Sequence, residues 1–228
     1  MVVFAILLLH VASFADNEER KLSSFTEISM RVPGKLYIEQ GDVQKVTIDA
    51  KSSVLKDIIT EIKDRALIIR FPAKNYLWRN FDPGSIIIQI TIPEISGLNV
   101  SGSGDIIGEG TISSLIMDVV ISGSGNINLS DLKVDRIKTV ISGSGNIHLK
   151  GSKVASEFTG TISGSGNIKA QNLEAEEVKV TISGSGNCSV GSNGRCTVRI
   201  AGSGSFFYSG NPSIDSTIAG SGNVKEIK

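Results

Sequence analysis

The stretch AKNYLWRNFDPG, residues 73–84, gathers Tyr76, Trp78 and Phe81 beside Lys74 and Arg79, and Trp78 is the only tryptophan among 228 residues. Aromatic faces next to cations hold a sugar ring or a protein side chain by stacking, cation–π attraction and hydrogen bonds. Tyr76, Trp78, Arg79 and Phe81 are therefore the candidate ligand contacts. The same loop would serve equally as a plug, because the apolar end or flank of a stacked fold has to be covered.

Cys188 and Cys196 are the only cysteines, separated by Ser-Val-Gly-Ser-Asn-Gly-Arg. In an oxidising compartment they could form a disulfide across that turn; otherwise they are buried thiols replacing the Ile and Val of neighbouring repeats. The spacing is not CxxC, and His148 has no cysteine near it in the repeat register, so neither a zinc site nor a redox motif is expected. No cofactor is implied. Catalysis in the manner of polysaccharide lyases or hydrolases needs acids at fixed separations. The outward positions Asn128, His148, Lys169 and Ser189 supply none, and Glu174, Glu176 and Glu177 read as one solvated cluster. The reading is non-enzymatic. Lys and Arg number 23 against 23 Asp and Glu, so the net charge of +0 gives no general attraction to nucleic acid or anionic lipid.

The elements behind these residues are written in a repeat. Gly-Ser-Gly begins at Gly102, Gly123, Gly143, Gly164, Gly184, Gly202 and Gly220, at intervals of 21, 20, 21, 20, 18 and 18 residues. A period near twenty without helical patterning predicts a solenoid in which each repeat is one coil, a parallel β-helix. Inward columns should be Met117, Ile137, Phe158, Val178, Cys196 and Ile214; Ile121, Ile141, Ile162, Ile182, Ile200 and Ile218; and Ile127, Ile147, Ile168, Cys188, Phe206 and Val224. Stacked corners tolerate little bulk, which explains the glycines. Asn126, Asn146, Asn167, Asn187 and Asn223 form a column suited to a hydrogen-bonded ladder, with Asp105 and Ser205 as departures. The triplets lead into strands rather than helices, which argues against nucleotide binding, and the period does not match calcium-binding β-rolls.

Residues 98–228 thus form the β-helix and 16–97 a β-rich lead-in and cap, with strand signals in KLYIEQ, KVTIDA, RALIIRF and SIIIQITIP. Ser52 to Lys56 reads as a turn feeding a strand, with a short helix over Val54–Ile62 as the alternative. Residues 1–15, MVVFAILLLHVASFA, have an apolar run followed by Ser-Phe-Ala, the pattern of a secretory signal cleaved before Asp16. No later stretch is apolar and long enough to span a membrane, so the expected location is exported: periplasm, cell surface or extracellular.

The order Phe25, VPGKLYIEQGD, RALIIRF and IIIQITIPEISGLNVSGSGDI, followed by reiterated SGSGNI, resembles the GIN-domain family, described as the head domain of auto-transporter adhesins. The resemblance covers essentially the whole chain after the signal. It implies a right-handed parallel β-helix in an exported, usually bacterial, protein whose biochemical role is largely unassigned. The expected role is an adhesin-like module that binds protein or glycan at the cell envelope, with a structural or regulatory envelope protein acting through a protein partner as the alternative. An auto-transporter also carries a C-terminal membrane barrel. The last triplet here is followed only by Asn-Val-Lys-Glu-Ile-Lys, so another component is expected to hold the protein to the cell.

Overall fold

The computed structural model describes residues 15–72 and 83–227. Alternating Ile or Val with polar residues buries one face of a strand, and each slip in that alternation marks a corner. Within one coil the buried residues are Ile127 and Leu129, then Leu132 and Val134, then Ile137, Thr139 and Ile141. Ser130–Asp131 and Asp135–Arg136 break the phase, and the Ser142–Gly143–Ser144 segment makes the third break. Each coil therefore has three faces around an apolar core. Thr139 is the polar exception in that core, and its hydroxyl is satisfied by donating to the Thr159 carbonyl at 3.1 Å.

The chain begins with β1 (Ala15–Glu19), β2 (Glu27–Met30), β3 (Lys35–Gln40) and β4 (Lys45–Lys51). One helical turn, α1 (Ser52–Leu55), then leads to β5 (Ile59–Lys63), β6 (Ala66–Arg70) and β7 (Ile87–Ile92). The 52–56 segment is thus a helical turn that feeds a strand. Next come β8 (Gly97–Gly102), β9 (Asp105–Glu109), β10 (Ile112–Gly123), β11 (Asn126–Gly143), β12 (Asn146–Gly151) and β13 (Ala155–Gly164). The last six are β14 (Asn167–Gly184), β15 (Asn187–Gly191), β16 (Arg195–Gly202), β17 (Ser205–Ser209), β18 (Ser213–Gly220) and β19 (Asn223–Glu226).

From β8 onward all pairing is parallel, and along the strands that lead into the Gly-Ser-Gly corner it stays in register, so Ile121, Ile141, Ile162, Ile182, Ile200 and Ile218 lie one above another. The fold is a β-solenoid. Its first coils are laid down out of order: β2 lies between β6 and β8, and β3 between β7 and β9, all parallel. The later segment β6–β7 therefore forms the end coil. Antiparallel strands close its edges, with β5 on β6, β4 on β7 and β1 on β4. At the other end, among the described residues, β18 pairs only with β16 and β19 only with β17. Exposure in one Ile column rises accordingly, from 2% at Ile200 to 40% at Ile218.

Candidate functional site

Two corners of the coil differ in what they offer a ligand. At the Gly-Ser-Gly corner, Gly143 has φ +129°, and a Cβ there would lie 2.4 Å from the Gly123 carbonyl oxygen. At Gly145 a Cβ would lie 2.3 Å from the Gly125 oxygen and 2.7 Å from Ile121 Cγ2. Both glycines are required by the neighbouring coil, the first also by its backbone angle. Beside them the side-chain amides run head to tail. Asn126 Nδ2 donates to Asp105 Oδ1 at 2.7 Å, and Asn146, Asn167 and Asn187 each donate to the preceding Oδ1 at 3.0 Å. The Ser205 backbone N–H closes the series on Asn187 Oδ1 at 3.1 Å, and Asn223 stands in the same column beyond it. Every amide dipole in the row points its N–H end toward Asp105, so a carboxylate at that end makes a charge-assisted bond.

The corner that follows the second strand of each coil is irregular. In the β14–β15 pairing Ala170 meets Val190 but Glu174 meets Gly191, so Gln171, Asn172 and Leu173 have no counterparts in the next coil. Leu173 stays in the core while Gln171 and Asn172 are pushed outward. The shorter coil makes its turn with Ser192, which is buried: its hydroxyl donates to the Ala175 carbonyl at 2.7 Å and accepts from the Gly194 N–H at 3.2 Å. This is where the repeat interval drops from 20 to 18 residues.

The mismatch leaves a groove. One cavity of about 460 Å³ is lined by Lys153, Val154, Gln171, Asn172, Glu174 and Asn193, among others. A second, of about 480 Å³, contains Lys169, Ser189, Phe207 and Ile227 and shares Gln171 with the first. Both volumes are in the range of small-molecule sites. The polar groups are held on one side and free on the other. Ser189 Oγ donates to Gln171 Oε1 at 2.8 Å, and Asn193 Nδ2 donates to Glu174 Oε1 at 2.7 Å while its own Oδ1 accepts from the Asn211 N–H at 3.0 Å. Among the described residues, Gln171 Nε2, Glu174 Oε2 and the Asn172 amide have no protein partner.

The segment carrying Tyr76, Trp78, Arg79 and Phe81 lies outside the described residues, as do residues 1–14. Cys188 and Cys196 are free thiols, both fully buried, and burial pushes the Cys188 thiol far above its ordinary value. His148 is exposed on the face that also carries Lys169, Ser189 and Phe207. Nearer the groove's corner, the Ser152 and Thr111 hydroxyls hold the Asp131 carboxyl below the usual carboxylate range. Among the described residues no group of three or more His, Cys, Asp or Glu could hold a metal ion, and no helix is long and apolar enough to cross a membrane.

In the sequence Glu174 stands out only as part of a solvated acidic cluster, and Gln171, Asn172, Asn193 and Phe207 do not stand out at all. Two signals point toward them. The interval falls to 18 after Gly184, and Ser-Phe-Phe-Tyr at 205–208 must turn one Phe outward if its neighbour Phe206 faces the core.

A family model described as "Putative auto-transporter adhesin, head GIN domain" matches residues 24–212. A protein from Bacteroides fragilis, described as a putative adhesin, superimposes with a TM-score of 0.87 at 24% identity, over 95% of this chain and 98% of that one. A putative lipid binding protein from Parabacteroides distasonis gives 0.77 at 24% identity, covering 94% and 97%. A putative adhesin from Parabacteroides merdae gives 0.70 at 19% identity, again covering 94% and 97%. These likenesses establish the fold. No curated protein matches the chain.

Proposed function

We propose, for a chain that belongs to the GIN-domain family of auto-transporter adhesin heads, the role of an exported, non-enzymatic binding module at the cell envelope. The observation that carries this is the registered stacking of coils, which presents outward side chains in fixed columns over a rigid apolar core. A surface fixed in this way binds without ordering itself first, so little conformational entropy opposes association. Sugar or protein is the ligand class, and Tyr76, Trp78, Arg79 and Phe81 supply contacts by stacking and cation–π attraction.

The test is a pull-down from intact envelope with the wild-type chain and Trp78→Ala, analysing captured material for both glycan and protein. The expected result is specific capture by the wild type that the variant reduces. Equal capture by both would remove the aromatic loop from the reading.

A second reading is favoured by the exposed last coil, whose β18 and β19 each have one unpaired edge among the described residues. An envelope protein could add a strand there, main chain to main chain. Capture of a protein alone, unaffected by Trp78→Ala, would favour this role.

A further inference from the structure

The geometry points to a further ligand site, lined by described residues between 151 and 227: the flank groove around Gln171, Glu174, Asn193 and Phe207 takes a short neutral oligosaccharide. This rests on the binding-module reading and goes beyond it by naming a site and a ligand class.

The Glu174 side of the groove is mainly polar and the Phe207 and Ile227 side mainly apolar, and both sides are open to solvent. An acyl chain needs an enclosed apolar slot, and neither half of this groove is enclosed. A saccharide stays hydrated on its outer side, so an open groove suits it. A pyranose ring also has an apolar C–H face and a rim of hydroxyls, each of them both donor and acceptor. The groove matches both parts. Phe207 faces outward on one wall, and Val154, 44% exposed, lies on the rim of the adjoining cavity. Between them, Gln171 presents a free N–H₂ because its carbonyl is held by Ser189. Glu174 presents a free oxygen because the other is held by Asn193. A donor and an acceptor, each already oriented by a bond on its far side, form a hydroxyl clamp with little side-chain entropy left to lose. Lys153 offsets the Glu174 charge and Lys169 is left as a single net cation, too weak a field to require an acidic sugar.

The groove also has a structural cause that catalysis does not require. It exists because one coil is two residues shorter than the coil before it, and Ser192 and Asn193 fix that shorter turn by hydrogen bonds to Ala175 and Glu174.

The experiment is an NMR titration of the ¹⁵N-labelled chain with a panel of neutral trisaccharides built from hexoses and N-acetylhexosamines, with a trigalacturonate as acidic control. The expected result is saturable shifts at the backbone amides of Asn172, Asn193, Phe207 and Gly210 for at least one neutral member. Phe207→Ala should then weaken binding about tenfold, the size of one lost ring stack. Gln171→Ala and Glu174→Gln should weaken it several-fold with unchanged amide spectra elsewhere, so the test survives if Phe207→Ala misfolds. Trp78→Ala should leave this binding intact. Binding that maps only to residues 73–84 and is lost in Trp78→Ala would overturn the inference while leaving glycan recognition in place. No binding by any neutral trisaccharide at 10 mM (~10 mM being weaker than the millimolar limit of useful recognition) would overturn it too, and capture of a protein from envelope would still support the binding module.

Discussion

The two corners of the same coil are built on opposite principles. The Gly-Ser-Gly corner repeats without change, so each group finds its partner in the coil below: carbonyl over glycine, amide on amide, down to Asp105. The corner around Gln171 and Asn193 breaks the repeat, and broken register leaves groups with one partner where the ladder residues have two. In a solenoid, stability comes from what recurs and a binding site from what is interrupted. If that contrast is right, substitutions at the first corner should cost stability and those at the second should cost binding alone.

The largest effect should come from Gly145→Ala. Its Cβ has no room against a neighbouring backbone oxygen, and that oxygen cannot move without displacing a whole coil. Overpacking of this kind costs about 3 kcal/mol. Gly151→Ala, at the irregular corner, is the control: its Cβ would lie 3.2 Å from Leu173 Cγ and 3.4 Å from the Lys153 carbonyl oxygen, close contacts that a displacement of a few tenths of an ångström relieves. Urea unfolding should show a large loss of midpoint for the first variant and a small one for the second. Similar losses would mean that the two corners are equally constrained.

A smaller effect separates the polar rows. Asn167→Ala cuts the ladder in its middle, leaving Asn187 without its acceptor and Asn146 without its donor, and should cost about 1–2 kcal/mol. Gln171→Ala removes one exposed bond from Ser189 and should fall within about 0.5 kcal/mol of wild type. The same denaturation series reads both. A ladder variant as stable as the groove variant would reduce the amide row to decoration.

How much of this was legible follows from what repeats. The period, the three inward columns and the asparagine column are local patterns, and they lie where the spacing puts them until the last coil, where Ile214, Ile218 and Val224 lose their cover. That β6–β7 would stack outside β2–β3 was not legible, because the order of coils depends on which distant edges pair and no periodicity encodes that. The closing of this end by antiparallel β4 and β5 is hidden for the same reason. The groove was half legible. The shortened interval is written in the sequence, but a change of length does not say which corner absorbs it; the pairing of Glu174 with Gly191 does.

The smallest expected effect tests the boundary between the two corners. Asp131 lies at the irregular corner two coils before Asn172, yet it is bridged across coils in the manner of the ladder, with Thr111 donating from one side and Ser152 beside it. Hydrogen bonds to the charged carboxylate hold its folded pKa below the ordinary value. The unfolded chain therefore binds this proton more readily than the folded one. The stabilisation is complete above the usual carboxylate range and disappears as pH falls through the folded value. Asp131→Asn keeps an acceptor for the hydroxyls but cannot titrate. Thermal melts from pH 7 down to pH 3 should show wild type above the variant at neutral pH, with the gap closing in acid. Because the carboxylate is solvent-exposed, the gap should be smaller than the loss from Asn167→Ala. A gap that widened in acid would mean that Asp131 is strained by its neighbours rather than held by them, and bridging across coils would then not stabilise the irregular corner as it does the ladder.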